Sequence, residues 1–411
     1  MYKKLKLKRK KRKYLSDKND SSKEKTSYIL FLIKLIFISF LLFQLFKFSN
    51  SIKEITIFQN NNNYSEYSFK YNYSKEFIKF TSQFSKDELI SPLLKNISII
   101  SIDYTESTRL NNILKVHISL NLDNNYVYQA LVSMESALHN SNKNNSTYIL
   151  HILCAGDILE QNIIILKSLL NKYKENLAII FYNMSDTFIH HKKEILTHIT
   201  YYRLLLPVMI PYDRIIYLDN DILVFKDLTE MYQLSFNDSY VLGNLDMLFN
   251  GLDYLGIKSD KYINGGVLLL NLDKIRKDKK HIDIIEMGVN HQNLKNHDQT
   301  VINYVLYPNI NLLPFKYGVF NFQSESDIEK IFMKMIRQKI DVNEFIKAFR
   351  DPGIIHFLVC HPKVWGKNPT FSKRVTLCKQ KNDCDCSKYH DMWYEFAKNT
   401  SYYEEIINKY K

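Results

Sequence analysis

The sequence predicts an α/β fold in which a mixed, mainly parallel sheet is flanked by helices, behind a single N-terminal transmembrane helix. Three observations lead to this prediction: strand-like and helix-like patterns alternate from about residue 112, residues 28–48 form an apolar run, and a basic segment precedes that run. Alternating strands and helices are typical of a sheet covered on both faces. With 45% hydrophobic and 24% charged residues in a chain of 411, global disorder is excluded.

The positive charge of the chain is concentrated in residues 1–27, the predicted cytoplasmic tail. This segment holds twelve Lys/Arg and three Asp/Glu, a balance of +9 out of the formal net charge of +13. The Ile-, Leu- and Phe-rich run at 28–48 has the length of about 20 residues that a membrane-spanning helix needs. Lys and Arg before the run orient the N-terminus inward. We therefore expect an uncleaved signal-anchor of type II topology, with a cleaved signal peptide as the alternative, and no nucleic-acid binding.

The remaining chain divides into three predicted segments. Residues 49–110 are polar and lack periodicity, so we expect a stem that holds the globular part away from the membrane. The globular domain is predicted over residues 111–370, followed by a C-terminal extension, 371–411, that carries a cysteine cluster. The first predicted elements of the domain are strands at Ile113–Leu122, Thr147–Leu153, Ala178–Tyr182 and Arg214–Leu218 and helices at Tyr126–Leu138 and Glu160–Tyr173.

The cysteine cluster of the extension consists of Cys378, Cys384 and Cys386. In an oxidising lumen, we expect Cys378 to be bridged to one of the other two, because a bond within Cys-x-Cys is strained. A metal site that includes the nearby His390 is the alternative.

The most informative motif is a pair of carboxylates, Asp219 and Asp221, set between two strongly apolar runs. Burying two unpaired carboxylates costs several kcal/mol, so a positive group is expected beside them. A divalent cation with hard oxygen ligands satisfies this need and also binds the diphosphate of a nucleotide. A solvated turn is the alternative, because Asp and Asn are common turn residues.

Further motifs are ambiguous when each is taken alone. His356 ends another apolar run and has the pattern of an ordinary core histidine, while Lys363 beyond it carries an ammonium suited to a phosphate. The Gly265-Gly266 pair would allow the backbone to approach a ligand closely, although a simple turn before a strand has the same pattern.

Taken together and in this order, the motifs resemble family 8 of the glycosyltransferases, the group of glycogenin and of bacterial lipopolysaccharide galactosyl- and glucosyltransferases. The resemblance extends from about Val116 to Trp365. Its carriers are Leu122-Asp123-Asn124-Asn125-Tyr126, Ile199-Thr200-Tyr201-Tyr202-Arg203-Leu204, Tyr217-Leu218-Asp219-Asn220-Asp221, Asn264-Gly265-Gly266-Val267, His297-Asp298-Gln299 and the closing His356, Lys363 and Trp365.

The resemblance implies a GT-A type nucleotide-binding domain that uses Mn²⁺, or Mg²⁺, to hold a UDP-sugar. It assigns the metal to Asp219, Asp221 and His356. It assigns uridine and diphosphate contacts to Asp123, Asn125, Tyr126 and Lys363. It places around the donor sugar Arg203, Asp246, Asn264, Asp298 and Gln299, of which Gln299, Asp298 and Asp246 are the implied catalytic residues.

The closing motif departs from the pattern of the family. The family usually has a glycine shortly after the histidine and then Lys-Pro-Trp, whereas this chain has one extra residue, no such glycine, and Lys363-Val364-Trp365. The assignment of Lys363 is affected more than that of His356, and His361 becomes an alternative metal ligand.

The implied function is retaining transfer of a hexose or pentose from a UDP-sugar to a glycan, glycoprotein or glycolipid acceptor in the Golgi or ER lumen. The alternative is a catalytically inactive lumenal sugar-binding or scaffold protein of the same fold. That alternative predicts decay of the metal ligands, yet all three are present. The sugar and the acceptor depend on loop contacts that the sequence does not specify.

Overall fold

A computed structural model describes residues 69–410, apart from 71, 106, 110–113, 186, 189–197, 247–251, 258–260, 292–293, 321–340, 359, 362, 367–369 and 372–386. The chain divides after Phe69, and every element below belongs to the second unit, Lys70–Lys411. The predicted tail, the predicted anchor at 28–48 and the cysteine cluster lie outside the described residues. Among the helices that are described, none combines the length and the apolarity needed to cross a bilayer.

An eight-stranded mixed sheet forms the centre of the unit, with strand order β1-β4-β3-β2-β5-β8-β7-β9. Strands β4, β3, β2 and β5 are mutually parallel, whereas β1 and β8 run antiparallel to their neighbours β4 and β5. The strands are β1 (Ser98–Tyr104), β2 (Leu114–Leu122), β3 (Ser146–Cys154), β4 (Leu177–Asn183), β5 (Arg214–Leu218), β7 (Val241–Leu245), β8 (Ile263–Asn271) and β9 (Ile310–Leu312).

Two small sheets complete the strands. The first has the order β10-β11-β6 and the second pairs β12 with β13. Their bounds are β6 (Ile222–Val224), β10 (Val319–Phe320), β11 (Ile354–His356), β12 (Cys360–His361) and β13 (Thr370–Phe371).

The helices cover both faces of the central sheet. They are α1 (72–81), α2 (Ile90–Lys95), α3 (Val127–His139), α4 (Glu160–Lys167), α5 (Leu169–Lys172), α6 (Leu206–Met209), α7 (Thr229–Tyr232), α8 (Leu272–Lys277), α9 (Lys280–Asn290), α10 (His297–Leu306), α11 (Val342–Arg350), α12 (Ser387–Ala397) and α13 (Tyr403–Tyr410). Short 3₁₀ helices lie at Ser82–Phe84, His198–Leu205, Asp253–Leu255 and Phe315–Tyr317. All six elements predicted from the sequence are confirmed, with the helix predicted at Glu160–Tyr173 divided at Ser168.

The central strands are buried on both faces, as parallel strands covered by helices usually are. Alternate residues of β2, such as Val116, Ile118 and Leu120, enter the main apolar core beneath α3 and α4. The residues between them face the opposite side, where the polar side chains of His117, Ser119 and Asn121 are also buried.

That opposite face carries a buried network of imidazole and phenol groups. His117 Nδ1 lies 3.0 Å from His151 Nε2, and His151 Nδ1 lies 2.9 Å from the Tyr182 hydroxyl. The Tyr182 hydroxyl is hydrogen-bonded in turn to that of Tyr73, on α1. The ring of Tyr212 stacks on His117 at 3.8 Å. Because α1 contributes Tyr73 to this buried network, residues 72–81 are part of the folded domain.

The segment predicted as a stem, 49–110, therefore differs from the prediction in its second half. Residues 72–81 form α1, and Ser98–Tyr104 form β1, which pairs antiparallel with β4 at the edge of the sheet. Several β1 residues stay partly or fully exposed, so the strand has a mixed polar sequence without the apolar run of an interior strand. This exposure explains why the pattern did not predict a strand there.

Candidate active site

Three chain segments meet at the end of β5. The chain leaves β5 at Leu218, passes through Asp219 and Asp221, and enters β6 at Ile222. Ile222 pairs with His356 at the end of β11, which brings the imidazole beside the two carboxylates. The amide of Asp219 also donates to the carbonyl of Gly266 on β8, at 2.8 Å. A polar cluster thus forms where the central sheet passes into the small one, outside the carboxyl ends of parallel strands, the usual ligand-binding position in α/β folds.

Asp219, Asp221 and His356 form a candidate metal site. One ligand atom from each residue lies within 4.8 Å of the others. His356 Nε2 is 3.0 Å from Asp221 Oδ1 and 3.8 Å from Asp219 Oδ2. Carboxylate oxygens and an imidazole nitrogen form a donor set that suits a divalent ion of the Mg²⁺ or Mn²⁺ kind. The structure brings together the three residues predicted to bind metal.

Gly266 leaves room for this cluster. A Cβ atom at position 266 would lie 2.2 Å from Cε1 of His356 and 2.6 Å from Oδ2 of Asp219. Neither group could stay in place beside such an atom. A glycine is therefore required because two side chains of the candidate metal site pack against the backbone of β8. The neighbouring Gly265 is less confined, with the closest atom, Nη1 of Arg203, at 3.2 Å from a Cβ built there.

Lys363 completes the charge balance around Asp221. Its Nζ lies 2.6 Å from Asp221 Oδ2 and also donates to the carbonyl of Phe357 at 2.8 Å. Burial raises the pKa of Asp221, but the Lys363 ammonium and the His356 imidazole more than offset this effect and hold the pKa well below its ordinary value. Asp221 is therefore ionised at neutral pH, as a metal ligand must be.

Arg203 orients the carboxylate of Asp219. Its Nη2 lies 3.0 Å from Asp219 Oδ1, and its Nε lies 2.9 Å from Oδ2 of Asp298. Its guanidinium stacks 4.0 Å above the ring of Tyr217, whose hydroxyl donates to the same Asp219 oxygen at 2.9 Å. Burial lowers the pKa of Arg203, but the neighbouring carboxylates raise it above its ordinary value. Asp219 is consequently held in one orientation by a guanidinium and a phenol.

A cleft of about 450 Å³ opens beside this cluster. It is lined by Thr200, Arg203, Asp219, Asp246, Asn264, Gly265, Gly266, Asn296, Asp298, Gln299 and Leu358. Gln299 links two other residues of the cleft lining. Nε2 of Gln299 donates to Asp246 Oδ2 at 2.8 Å, and Oε1 of Gln299 accepts from the Gly265 amide at 2.8 Å. The five positions that the resemblance places around a donor sugar all line this one cleft. Their individual roles stay predictions.

The predicted uridine loop forms a turn closed by the side chain of Asp123. Asp123 Oδ1 accepts from the amides of Asn125 and Tyr126 at 2.9 and 3.0 Å, just before α3 begins. Tyr126 extends toward the metal cluster: burial, followed by the charge of Asp221, raises the pKa of its hydroxyl. Its ring contacts Trp365 edge-on at 6.4 Å. The loop thus lies beside Lys363 and Asp221, although it does not line the cleft described above.

Several residues of the site were not assigned from the sequence, and Tyr217 and Thr200 are two of them. Tyr217 lies two positions before Asp219 on an extended strand, so both side chains emerge on one face, and this spacing was the available signal. Thr200 lines the cleft from the 3₁₀ helix His198–Leu205, which approaches β2 through hydrogen bonds to Asn121. No local pattern predicts that approach. The side chain of His361, the alternative ligand, is outside the described part of the chain.

The model of Glycosyl transferase family 8 matches residues 117–369, more than half of the chain and the whole of the cluster just described. The chain belongs to this family. This glycosyl transferase match ends before α12 and α13 begin, so these two helices lie beyond the part of the chain that the family defines.

Two proteins named as glycosyltransferases are similar to part of this chain. The chain is 28% identical over 229 residues to the lipopolysaccharide 1,2-glucosyltransferase of Escherichia coli, covering 51% of this chain and 64% of that protein. It is 28% identical over 131 residues to the glycosyltransferase GlyE of Streptococcus pneumoniae, covering 31% of this chain and 29% of that protein. The chain therefore spans less than two thirds of each relative.

Solved structures support the GT-A-like fold of this family 8 domain. The galactosyltransferase LgtC, in complex with donor and acceptor sugar analogues, superimposes with a TM-score of 0.52 at 20% identity, covering 70% of this chain and 96% of that one. The bifunctional glycosyltransferase WbbM superimposes with a TM-score of 0.56 at 17% identity, covering 74% of this chain and 53% of that one. At these identities the likeness concerns the fold alone.

Proposed function

We propose that this protein is a retaining, divalent-metal-dependent glycosyltransferase that moves a hexose or pentose from a UDP-sugar to a glycan, glycoprotein or glycolipid acceptor. The observation that carries the proposal is the cluster of Asp219, Asp221 and His356 with Lys363 at its edge, set beside a polar cleft. Family membership supports the reaction class, and retention of the anomeric configuration follows from the same resemblance.

The residues of the cluster have complementary tasks in this proposal. Asp219, Asp221 and His356 would hold Mn²⁺ or Mg²⁺. When bound, the ion supplies positive charge to the diphosphate leaving group. The Lys363 ammonium is close enough to the cluster to donate to the same diphosphate, which adds preorganised stabilisation of the departing charge. Arg203 and Tyr217 keep Asp219 oriented toward the ion.

The cleft wall supplies groups for a sugar. Asp246, Asn264 and Gln299 are connected by hydrogen bonds and present carboxylate and amide groups, the usual partners of sugar hydroxyls. Asp298 is already committed to Arg203, which favours a role in holding that guanidinium over direct contact with substrate.

The function is tested by a donor screen followed by a matched pair of variants. Hydrolysis or transfer is measured with UDP-glucose, UDP-galactose, UDP-xylose and UDP-glucuronic acid in the presence of Mn²⁺ or Mg²⁺. With the active donor, Asp221→Asn should lower kcat by at least about 10²–10³-fold, the usual loss when one preorganised electrostatic group is removed. Asp213→Asn, at an exposed carboxylate before β5, is the control and should retain full activity.

Two results would contradict the proposal. One is transfer that continues undiminished in EDTA, and the other is an Asp221→Asn protein as active as the parent. Circular dichroism of both variants shows whether a loss of activity reflects the site or the fold.

Membrane attachment is the second part of the proposal. The apolar run at 28–48 and the basic segment before it support a type II anchor with the family 8 domain in the lumen of the Golgi or ER. Protease added to intact microsomes should then remove only the short tail. Digestion of the whole chain from the outside would show that the orientation is reversed.

A further inference from the structure

The loop that carries Lys363, residues 363–366, is here named the lysine loop. From this loop Lys363 Nζ reaches Asp221 Oδ2 at 2.6 Å and the Phe357 carbonyl at 2.8 Å. The loop closes on itself through a hydrogen bond from the Gly366 amide to the Lys363 carbonyl, at 2.8 Å. This short turn alone does not determine where the ammonium lies relative to the metal cluster, so something outside the turn must fix its position.

Helix α12 supplies that external support. His390 Nδ1 donates to the Val364 carbonyl at 2.7 Å, and the Tyr394 hydroxyl donates to the Trp365 carbonyl at 2.8 Å. His390 and Tyr394 are four positions apart, one above the other on a single face of α12. Three consecutive carbonyls of the lysine loop thus each have a donor, and two of the three donors come from this helix.

Helix α12 is itself firmly anchored. Trp393 is fully buried and Tyr394 is almost so, within an apolar cluster that also includes Trp365. The ring centroid of Trp365 lies 5.9 Å from that of Trp393 and 6.4 Å from that of Tyr126, with a T-shaped arrangement in the second pair. The lysine loop therefore contacts both the helix and the predicted uridine loop.

We propose that His390 and Tyr394 are positioning residues that hold the lysine loop, so that Lys363 can reach the diphosphate of a bound nucleotide. The inference rests on the proposed function, because it takes Lys363 as a diphosphate ligand. It goes beyond the family assignment, since the family match ends at residue 369 and both residues lie on a helix outside it. The C-terminal extension is by this account part of the donor site.

The test is a double-mutant cycle on nucleotide affinity. UDP binding in the presence of Mn²⁺ is measured by calorimetry for the parent, Tyr394→Phe, Lys363→Met and the double variant. Tyr394→Phe keeps the buried ring and removes one hydrogen bond of the loop, so it should weaken UDP binding by about 3- to 10-fold. If the hydroxyl acts through Lys363, the same substitution in the Lys363→Met background should change the affinity less than twofold.

The control is Tyr240→Phe, which removes a hydroxyl bonded to Asp278 at 2.9 Å, far along the chain from the lysine loop. It should leave UDP affinity unchanged. A second pair addresses the other contact: His390→Leu should weaken UDP binding, whereas His390→Gln, whose amide can still donate to Val364, should restore most of it. Thermal unfolding of each variant checks that the fold is retained.

The outcomes separate the two proposals. If the parent binds no UDP with Mn²⁺, the proposed function fails and this inference fails with it. If the parent binds UDP but Tyr394→Phe has no effect, or the same effect in both backgrounds, only the positioning role is overturned. If Tyr394→Phe weakens UDP binding in the parent but not in the Lys363→Met background, the inference is supported.

Discussion

Acidification should destabilise this protein through the buried pair His117 and His151. Both histidines are buried, and Nδ1 of His117 lies 3.0 Å from Nε2 of His151, so one of these two nitrogens must lack a proton. Burial lowers the pKa of His151 to about 3, and burial followed by the charge of its neighbour lowers that of His117 well below its ordinary value. The folded state therefore keeps both rings neutral.

The sign of the effect follows from proton uptake. In the unfolded chain an imidazole titrates near pH 6.5, so below this pH the unfolded state binds protons that the folded state excludes. The contribution of this pair to the free energy of unfolding is thus largest above pH 6.5 and falls as the pH decreases toward 3. Between pH 7 and 5, an unfolded imidazole takes up most of one proton, which costs about 2 kcal/mol for His151 alone. His117 adds a loss of the same sign.

The assay is urea unfolding at pH 7, 6 and 5, with circular dichroism as the signal that monitors unfolding. The variant is His151→Gln, which keeps an amide able to donate and accept but removes the titrating ring. Its loss of stability between pH 7 and 5 should be smaller than that of the parent by about 2 kcal/mol. His139→Gln, which removes an exposed imidazole at the end of α3, is the control and should follow the parent. Identical pH dependence in the parent and His151→Gln would refute the reasoning.

Two further predictions concern the candidate metal site. Gly266→Ala should abolish transfer and metal binding, because the added Cβ would lie 2.2 Å from Cε1 of His356. Gly265→Ala is the matched variant. A Cβ there has its nearest neighbour at 3.2 Å, so this variant should keep a measurable part of both transfer and metal binding. Lys363→Met should raise the affinity for Mn²⁺ without nucleotide, measured by electron paramagnetic resonance, because the ammonium at 2.6 Å competes with a cation for Asp221. Unchanged or weaker Mn²⁺ binding would contradict that competition.

The extent to which the site was predictable differs from residue to residue. Asp219 and Asp221 were predicted because two carboxylates between apolar runs demand a counter-charge wherever the rest of the chain lies. His356 and Gln299 were assigned to the site only through the resemblance to the family. In the structure His356 lies in the metal cluster and Gln299 lines the cleft beside it. Asp298 was implied as catalytic, yet its carboxylate is paired with Arg203 at 2.9 Å, a contact that depends on how α10 packs.

In the fold, too, some elements were predictable from the sequence and others were not. Interior strands such as β3 and β4 were predicted because burial on both faces imposes nearly continuous apolar runs, which His151 interrupts in β3. Strand β1 was not, since an exposed edge strand needs no such run and its sequence resembles that of a polar linker. Helix α1 was missed for a related reason, because Tyr73 contacts residues about 80 and 110 positions away and no short window contains these contacts.

By itself, the sequence determined the alternation of strands and helices, the pair of carboxylates and the family. These are local or ordered features, which depend on the burial and chemistry of neighbouring residues. Only the tertiary structure decided that Gly266 must lack a side chain, that Arg203 and Tyr217 orient Asp219, and that α12 supports the lysine loop. Each of these is a contact between segments far apart in the chain, and its distance is determined by packing, which no local pattern encodes.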